Sequence, residues 1–257
     1  MDNTEWPAEA YAIGSFIQSS IGAQYIEQLD IKPHDLVLDI GCGDGAFSKR
    51  IIELFKMASF TGIDASENML KLASGLTKQY PHATFAKNNV MTMAYKEQFS
   101  YALSFWCLQW VPDIHAALQN IYQALKPGGR FLFILPAGDD AFITTYQSVK
   151  DEGIFQELDG FISPVDYSQF AHFNETAQLV PFTNIKVEKH PESLTLPSFD
   201  IFRTFVEGVS FYQGQIKPEI IPTIQNAMVE AYKKECLEKY DGKPIFNFSN
   251  YCITGFK

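Results

Sequence analysis

The chain has 257 residues, 46% of them hydrophobic, and a formal net charge of −10. That length holds one α/β core with an appendage rather than two independent domains. The acidic balance argues against unspecific attraction to nucleic acid or to an anionic membrane, since both need a basic surface.

No apolar run approaches the ~18 residues of a membrane span, and MDNTEWPAEAY at the N-terminus has neither a basic nor an apolar leader region. A cytoplasmic protein with no membrane partner is expected. Cys42, Cys107, Cys236 and Cys252 lie far apart without a C-x-x-C pair, so neither a disulfide framework nor a metal site is expected.

In chain order, short apolar runs alternate with helical patterns, the signature of βαβ units and a parallel sheet. Strands are predicted at 36–40 (LVLDI), 59–63 (SFTGI), 83–86, 101–106 and 130–135 (RFLFIL). Helices are predicted between them over FSKRIIELFK, ENMLKLASGLTK and HAALQNIYQALK, the last stopped by KPGG. Beyond Pro136 the rhythm changes. Residues 138–180 read as broken helix, 184–195 as extended, 199–240 as helix, and FNFSNYCITGFK as a closing strand. The expected molecule is a single domain whose core spans about 31–136, 184–195 and 245–257. Helical segments at 138–180 and 198–241, interrupted by Pro197, Pro218 and Pro222, form a lid.

The chemistry starts at LDIGCGDGAFSKR, where a strand ends at Asp39 and Gly41, Gly43 and Gly45 precede a helix. Glycines there let backbone N–H groups approach a nucleotide-like ligand. Gly41-x-Gly43-x-x-Ala46 also satisfies the dinucleotide fingerprint. Against a pyrophosphate stand Asp39 and Asp44, with no basic residue until Lys49; this charge suits a cation such as S-adenosylmethionine, which carries an ammonium and a sulfonium. About 20 residues on, Asp64 ends the second strand where a carboxylate accepts from ribose hydroxyls, with Ala65 and Met69 walling the adenine. The plainer role for Asp64 is to cap the next helix.

Asp39, Gly41, Gly43 and Gly45, followed by Asp64, resemble the class I S-adenosylmethionine-dependent methyltransferases over most of residues 10–136. The resemblance implies a doubly wound, mostly parallel seven-stranded α/β sheet with an antiparallel last strand, and S-adenosyl-L-methionine as cofactor. It places Cys42 in the cofactor turn, Phe105 beside it, and Asn88 or Asn89 at the adenine amino group where the family commonly has an acid. Ser100 stands where many members have aspartate.

SFWCLQWV, residues 104–111, closely resembles the juvenile hormone acid methyltransferases and more loosely the trans-aconitate methyltransferases, which esterify small carboxylic acids. The resemblance implies that Gln18 and Trp110 hold the substrate carboxylate as catalytic residues, and brings Trp106 and Gln109 to the substrate side. Gln109 replaces the usual histidine. Arg203 is a candidate for a second acidic group on the substrate, its plainer role being a solvated helix charge. Cys107 and His115 read as structural. Methyl acceptors of other kinds (a quinone precursor, an amine or a malonyl thioester) and a non-catalytic cofactor-binding protein are the competing expectations.

Overall fold

The computed structural model describes residues 16–177 and 179–257. Among these residues seven strands form one sheet: β1 (Leu36–Ile40), β2 (Ser59–Asp64), β3 (Ala83–Lys87), β4 (Phe99–Phe105), β5 (Leu125–Pro136), β6 (Thr183–Thr195) and β7 (Ile245–Phe256). Their order is β3-β2-β1-β4-β5-β7-β6. The strands β1 to β5 pair in parallel, and β7 runs antiparallel to both β5 and β6.

Helix α1 (Phe16–Glu27) precedes the sheet. After β1 come α2 (Ala46–Leu54), then α3 (Glu67–Ala73) and the one-turn α4 (Leu76–Gln79) between β2 and β3, and α5 (Ile114–Ala124) between β4 and β5. Between β5 and β6 lie α6 (Ala141–Asp151) and the short α7 (Ser168–Ala171) and α8 (Phe173–Ala177); between β6 and β7 lie α9 (Phe199–Gly208) and α10 (Ile221–Tyr240). Side-chain caps mark several starts: Ser66 accepts from Met69 N–H, Asp113 from Ala116 N–H and Asp140 from Phe142 and Ile143 N–H.

The period of two along each strand divides the core. Leu103 and Phe105 of β4, with Leu132 and Ile134 of β5, face α1, α6, α9 and α10. Ala102 of β4, with Phe131, Phe133 and Leu135 of β5, faces α5, α7 and α8. Each fully buried Phe here contributes about 1.5–3 kcal/mol through burial. The stretch 138–180 therefore does not act as one unit. Phe142, Tyr146 and Phe161 join α10 on one face, whereas Val165, Phe170 and Phe173 cross to the other.

Two predicted boundaries move for identifiable reasons. The sequence KPGG, read as a helix stop, lies inside β5, because Gly128 N–H and Gly129 C=O pair with Lys257 at the end of β7. Trp106, read as the last residue of the fourth strand, lies beyond β4 with a left-handed backbone, φ 49°.

Candidate active site

The C-terminal ends of β1 and β4 meet at a narrow cleft lined by Asp39, Gly41, Cys42, Gly43, Asp44, Ala46, Phe47 and Phe105. The three glycines of the β1–α2 turn all have positive φ (72°, 56° and 85°), each for a different reason. A Cβ on Gly41 would lie 2.2 Å from Cys107 Sγ, so this glycine lets the β4 end pack under the turn. A Cβ on Gly45 would press on Ala73 and Leu76 at 3.1 and 2.8 Å, so it admits α3 and α4. A Cβ on Gly43 meets nothing within 4 Å and would occupy only open space. Gly43 is the position where a ligand can come against bare backbone.

Asp64 ties this turn to β2: one carboxylate oxygen accepts Gly43 N–H at 2.9 Å and the other accepts Ser66 N–H at 2.8 Å. It therefore orders both the glycine turn and the start of α3. Ala65 is half-buried beside it and Met69 is buried in α3. Asp39 is buried in β1 and accepts the Ser48 hydroxyl at 2.6 Å. Burial raises its carboxyl to about 7, with the Ser48 hydrogen bond opposing and the Asp64 charge adding to the rise. Lys49 faces Glu53 at 3.9 Å along α2. Burial also raises the Cys42 and Cys107 thiols, which removes their thiolate character.

At the far end, Asn88 Oδ1 accepts Asn89 N–H and Asn89 Oδ1 accepts Met91 N–H, each at 2.9 Å. Both amide oxygens expected to receive an adenine amino group already hold the turn after β3.

On the other side of the cleft, Phe47 is stacked on Phe105 with ring centroids 5.5 Å apart and tilted against Trp106 at 5.6 Å. Helix α1 rests on this cluster through Gly22, where a Cβ would lie 2.0 Å from the Phe47 ring. Gln18, Gly22 and Tyr25 are spaced i, i+4, i+7 and share one helix face. Gln18 lies one turn before Gly22 on that face, and its Oε1 is buried without a hydrogen-bond partner among the described residues. Gly22, Tyr25 and Phe47 are absent from the sequence reading; a glycine inside a helix, one turn after Gln18, was the available signal.

Two substrate-side expectations need correction. The Trp106 indole N–H is spent on Asn250 Oδ1 at 2.9 Å, so it does not point to a substrate. Gln109 is buried in the short 3₁₀ turn Leu108–Trp110 and donates its Nε2 to Trp106 C=O at 2.7 Å. This fixes the amide orientation, since a carbonyl accepts only a donor. What Gln109 can present is its Oε1, buried without a partner, and an acceptor oxygen repels a carboxylate. Trp110 ends the same turn, half-buried between the two halves of the core. Arg203 lies away from the cleft: its guanidinium bonds Asn226 and ties α9 to α10. His115 meets Gln119 on the outer side of α5, away from the cleft lining.

Residues 37–129 match a family model described as a methyltransferase domain. A trans-aconitate 2-methyltransferase from Deinococcus radiodurans is 30% identical over 51% of this chain and 49% of its own. A juvenile hormone acid O-methyltransferase from Drosophila melanogaster is 28% identical over 52% of this chain and 48% of its own. The match thus spans about half the length of these curated relatives. In structure, Haemonchus contortus phosphoethanolamine N-methyltransferase 2, solved with S-adenosyl-L-methionine, aligns at a TM-score of 0.60 over 97% of this chain and 56% of that one. Its sequence identity is 19%, so this likeness concerns the fold.

Proposed function

We propose that the chain is a class I S-adenosylmethionine-dependent methyltransferase that transfers the cofactor's methyl group to the carboxylate of a small organic acid; the methyltransferase-domain match and the relatives support this. The residues present fit the cofactor. Gly43 offers bare backbone beside open space, and the cleft carries Asp39 with no lysine or arginine in its lining. On this reading Gly41, Cys42, Gly43 and Gly45 hold the amino-acid end with Asp39 supplying negative charge. Asp64 holds the ribose, and Ala65, Met69, Asn88, Asn89 and Phe105 surround the adenine and sulfur. When bound, S-adenosylmethionine supplies an electrophilic methyl on a positively charged sulfur.

What supports the carboxylate reading is the stretch SFWCLQWV with Trp110, together with helix α1, whose Gly22 packs on Phe47 of the cleft wall one turn after Gln18. Two relatives named for carboxylic acids support it. An amide and an indole are neutral donors, able to hold a carboxylate without neutralising it. A carboxylic acid of ordinary pKa near 4 is already ionised at neutral pH, so these residues need only orient it and exclude water. Good alignment alone contributes roughly 7–11 kcal/mol to such a reaction.

One observation favours a second reading. The fixed, partnerless Oε1 of Gln109 suits an acceptor that offers N–H or O–H, such as an amine or a hydroxyl group. Release of S-adenosylhomocysteine is therefore to be measured over matched panels of acids, amines and phenols. Turnover confined to acids supports the proposal; turnover confined to amines or phenols transfers it to the second reading. With the best acid, Gln18→Ala and Trp110→Phe should each lower kcat/KM about ten- to a hundredfold, the worth of one hydrogen bond to a charged oxygen, with cofactor affinity nearly intact. Full activity in both variants rejects the assignment.

A further inference from the structure

The end of β4 and the middle of β7 are joined by a partly buried contact that lies outside the glycine motif. In the strand order, β5 lies between them, so the two chains are about 10 Å apart. The Trp106 indole leaves the end of β4 and the Asn250 amide leaves β7, and they close the gap at 2.9 Å. Asn250 is 1% exposed, with Pro136 of β5 and His190 of β6 opposite it in register. Its buried Nδ2 is turned to the Tyr25 hydroxyl of α1 without a well-formed hydrogen bond among the described residues. A half-satisfied buried amide costs stability, and an apolar side chain would fill the same volume without that cost. Packing alone does not account for it.

What the amide holds is a strained residue. Trp106 has φ 49°, an outlier conformation for a bulky side chain that persists only when its surroundings fix it. Three ties do so: its N–H to Ile134 C=O at 2.8 Å, its C=O to Gln109 Nε2 at 2.7 Å, and its indole to Asn250. The turn so fixed leads directly to Trp110. The same Asn250 adjoins Tyr25, which sits on the Gln18 face of α1 and donates to Glu192 on β6 at 2.6 Å. One side chain therefore references both α1 and the post-β4 turn to β7.

We infer that Asn250 is a positioning residue for methyl transfer, which by locking Trp106 sets the post-β4 turn against the Gln18 face of α1. The inference rests on the methyltransferase reading but not on the nature of the acceptor. Asn250 does not line the cofactor cleft, and Trp106 meets that lining only through Phe47, so the larger effect falls on turnover rather than on cofactor affinity.

The full-length chain tests this with Asn250→Leu, which deletes the acceptor, and Asn250→Asp, which keeps an oxygen in its place. Indole N–H signals of the three tryptophans are followed by NMR, with Trp106→Phe identifying the relevant one. S-adenosylhomocysteine affinity is followed by calorimetry, and kcat with whichever acceptor of the panels the wild type uses best. In Asn250→Leu the Trp106 indole should exchange at least about tenfold faster and kcat fall about tenfold or more, with affinity for S-adenosylhomocysteine within about threefold of wild type. Asn250→Asp should keep both the slow exchange and most of kcat, and Asn250→Leu should add little to Trp106→Phe. An unchanged indole, an unchanged kcat, or an Asp variant as impaired as the Leu variant overturns the inference. Should Asn250→Leu fail to fold, Trp106→Phe with full kcat overturns it from the other side. If the best acceptor is an amine or phenol, the carboxylate reading falls while these ratios still decide the role of Asn250.

Discussion

Gly41, Gly43 and Gly45 look alike in the sequence, and their environments separate them. Gly43→Ala places a Cβ in open space, so its folding cost is confined to the left-handed backbone, about 1–2 kcal/mol. Gly41→Ala adds a collision with Cys107. Thermal melting beside calorimetry should therefore show Gly43→Ala folded but deficient in S-adenosylmethionine binding, and Gly41→Ala much the less stable of the two. Equal losses of stability would mean that Gly43 serves only the turn. Asp39 carries a second consequence of burial. Its carboxyl, ordinarily at 3.8, is raised to about 7, so the folded state binds a proton that the unfolded state does not. Stability from this group is present below about pH 4 and lost as pH rises through about 7. A cationic ligand needs the ionised form, so cofactor affinity should weaken as pH falls below about 7. The substitution Asp39→Asn keeps an oxygen for Ser48 and should flatten both profiles; a wild-type affinity independent of pH from about 6 to 8 would refute the assignment. The motif was legible as a ligand turn, but nothing in LDIGCGDG states which glycine faces space or that Asp39 is cut off from water.

At the scale of elements, the seven strands and the βαβ rhythm were readable because apolar periodicity is local. The boundaries of β4 and β5 were not, because Trp106 and Gly128 take their conformations from Ile134, Asn250 and Lys257, which are distant in sequence. Helix α1 shows the same limit. Gln18 is named in the sequence only through resemblance, whereas the close approach of α1 to the cleft wall depends on Gly22, four residues on. Glycine inside a helix ordinarily destabilises it, and Gly→Ala gains about 0.8–1 kcal/mol. Here the Cβ would strike a Phe47 ring already confined by Phe105 and Trp106, and overpacking costs about 1–3 kcal/mol. Gly22→Ala should therefore lower Tm, and Phe47→Leu in the same chain should recover part of the loss. A Tm raised by Gly22→Ala alone would show that α1 does not bear on Phe47.

For the whole molecule, the two ends of the sheet do different work. The C-terminal ends of β1 and β4 form the cleft, with β2 tied to its turn through Asp64, as open α/β sheets place their ligands. At the opposite end, Asp35 just before β1 accepts Lys32 N–H at 2.8 Å, the Ser100 hydroxyl at 2.7 Å and Arg130 at 2.7 Å, with Arg130 4.4 Å above the Tyr101 ring. Ser100, where the family often has aspartate, thus works as a hydroxyl that joins β4 to Asp35 and receives Leu36 N–H at 2.9 Å. Burial alone would raise the Asp35 carboxyl, but these hydrogen bonds and the Arg130 charge outweigh it and hold it below the ordinary value. A lowered carboxyl adds stability at neutral pH, which is lost as pH falls through its folded value. Arg130→Met leaves the buried carboxylate without its cation. Breaking such a pair costs about 3–5 kcal/mol, and the partial exposure of Arg130 places this one near 3. For a chain of this size the loss corresponds to a Tm lower by roughly 6–12 °C. Because the clamp lies at the far end of the strands from Gly43 and Asp64, S-adenosylmethionine affinity of the folded variant should stay within about twofold of wild type at a temperature well below its melting point. The acid limb of its stability profile should also move to higher pH, since Asp35 then protonates more readily. Melting from pH 4 to 8 together with calorimetry at one low temperature reads all three quantities. A large loss of cofactor affinity without a loss of Tm would mean that the two ends of the sheet are not independent.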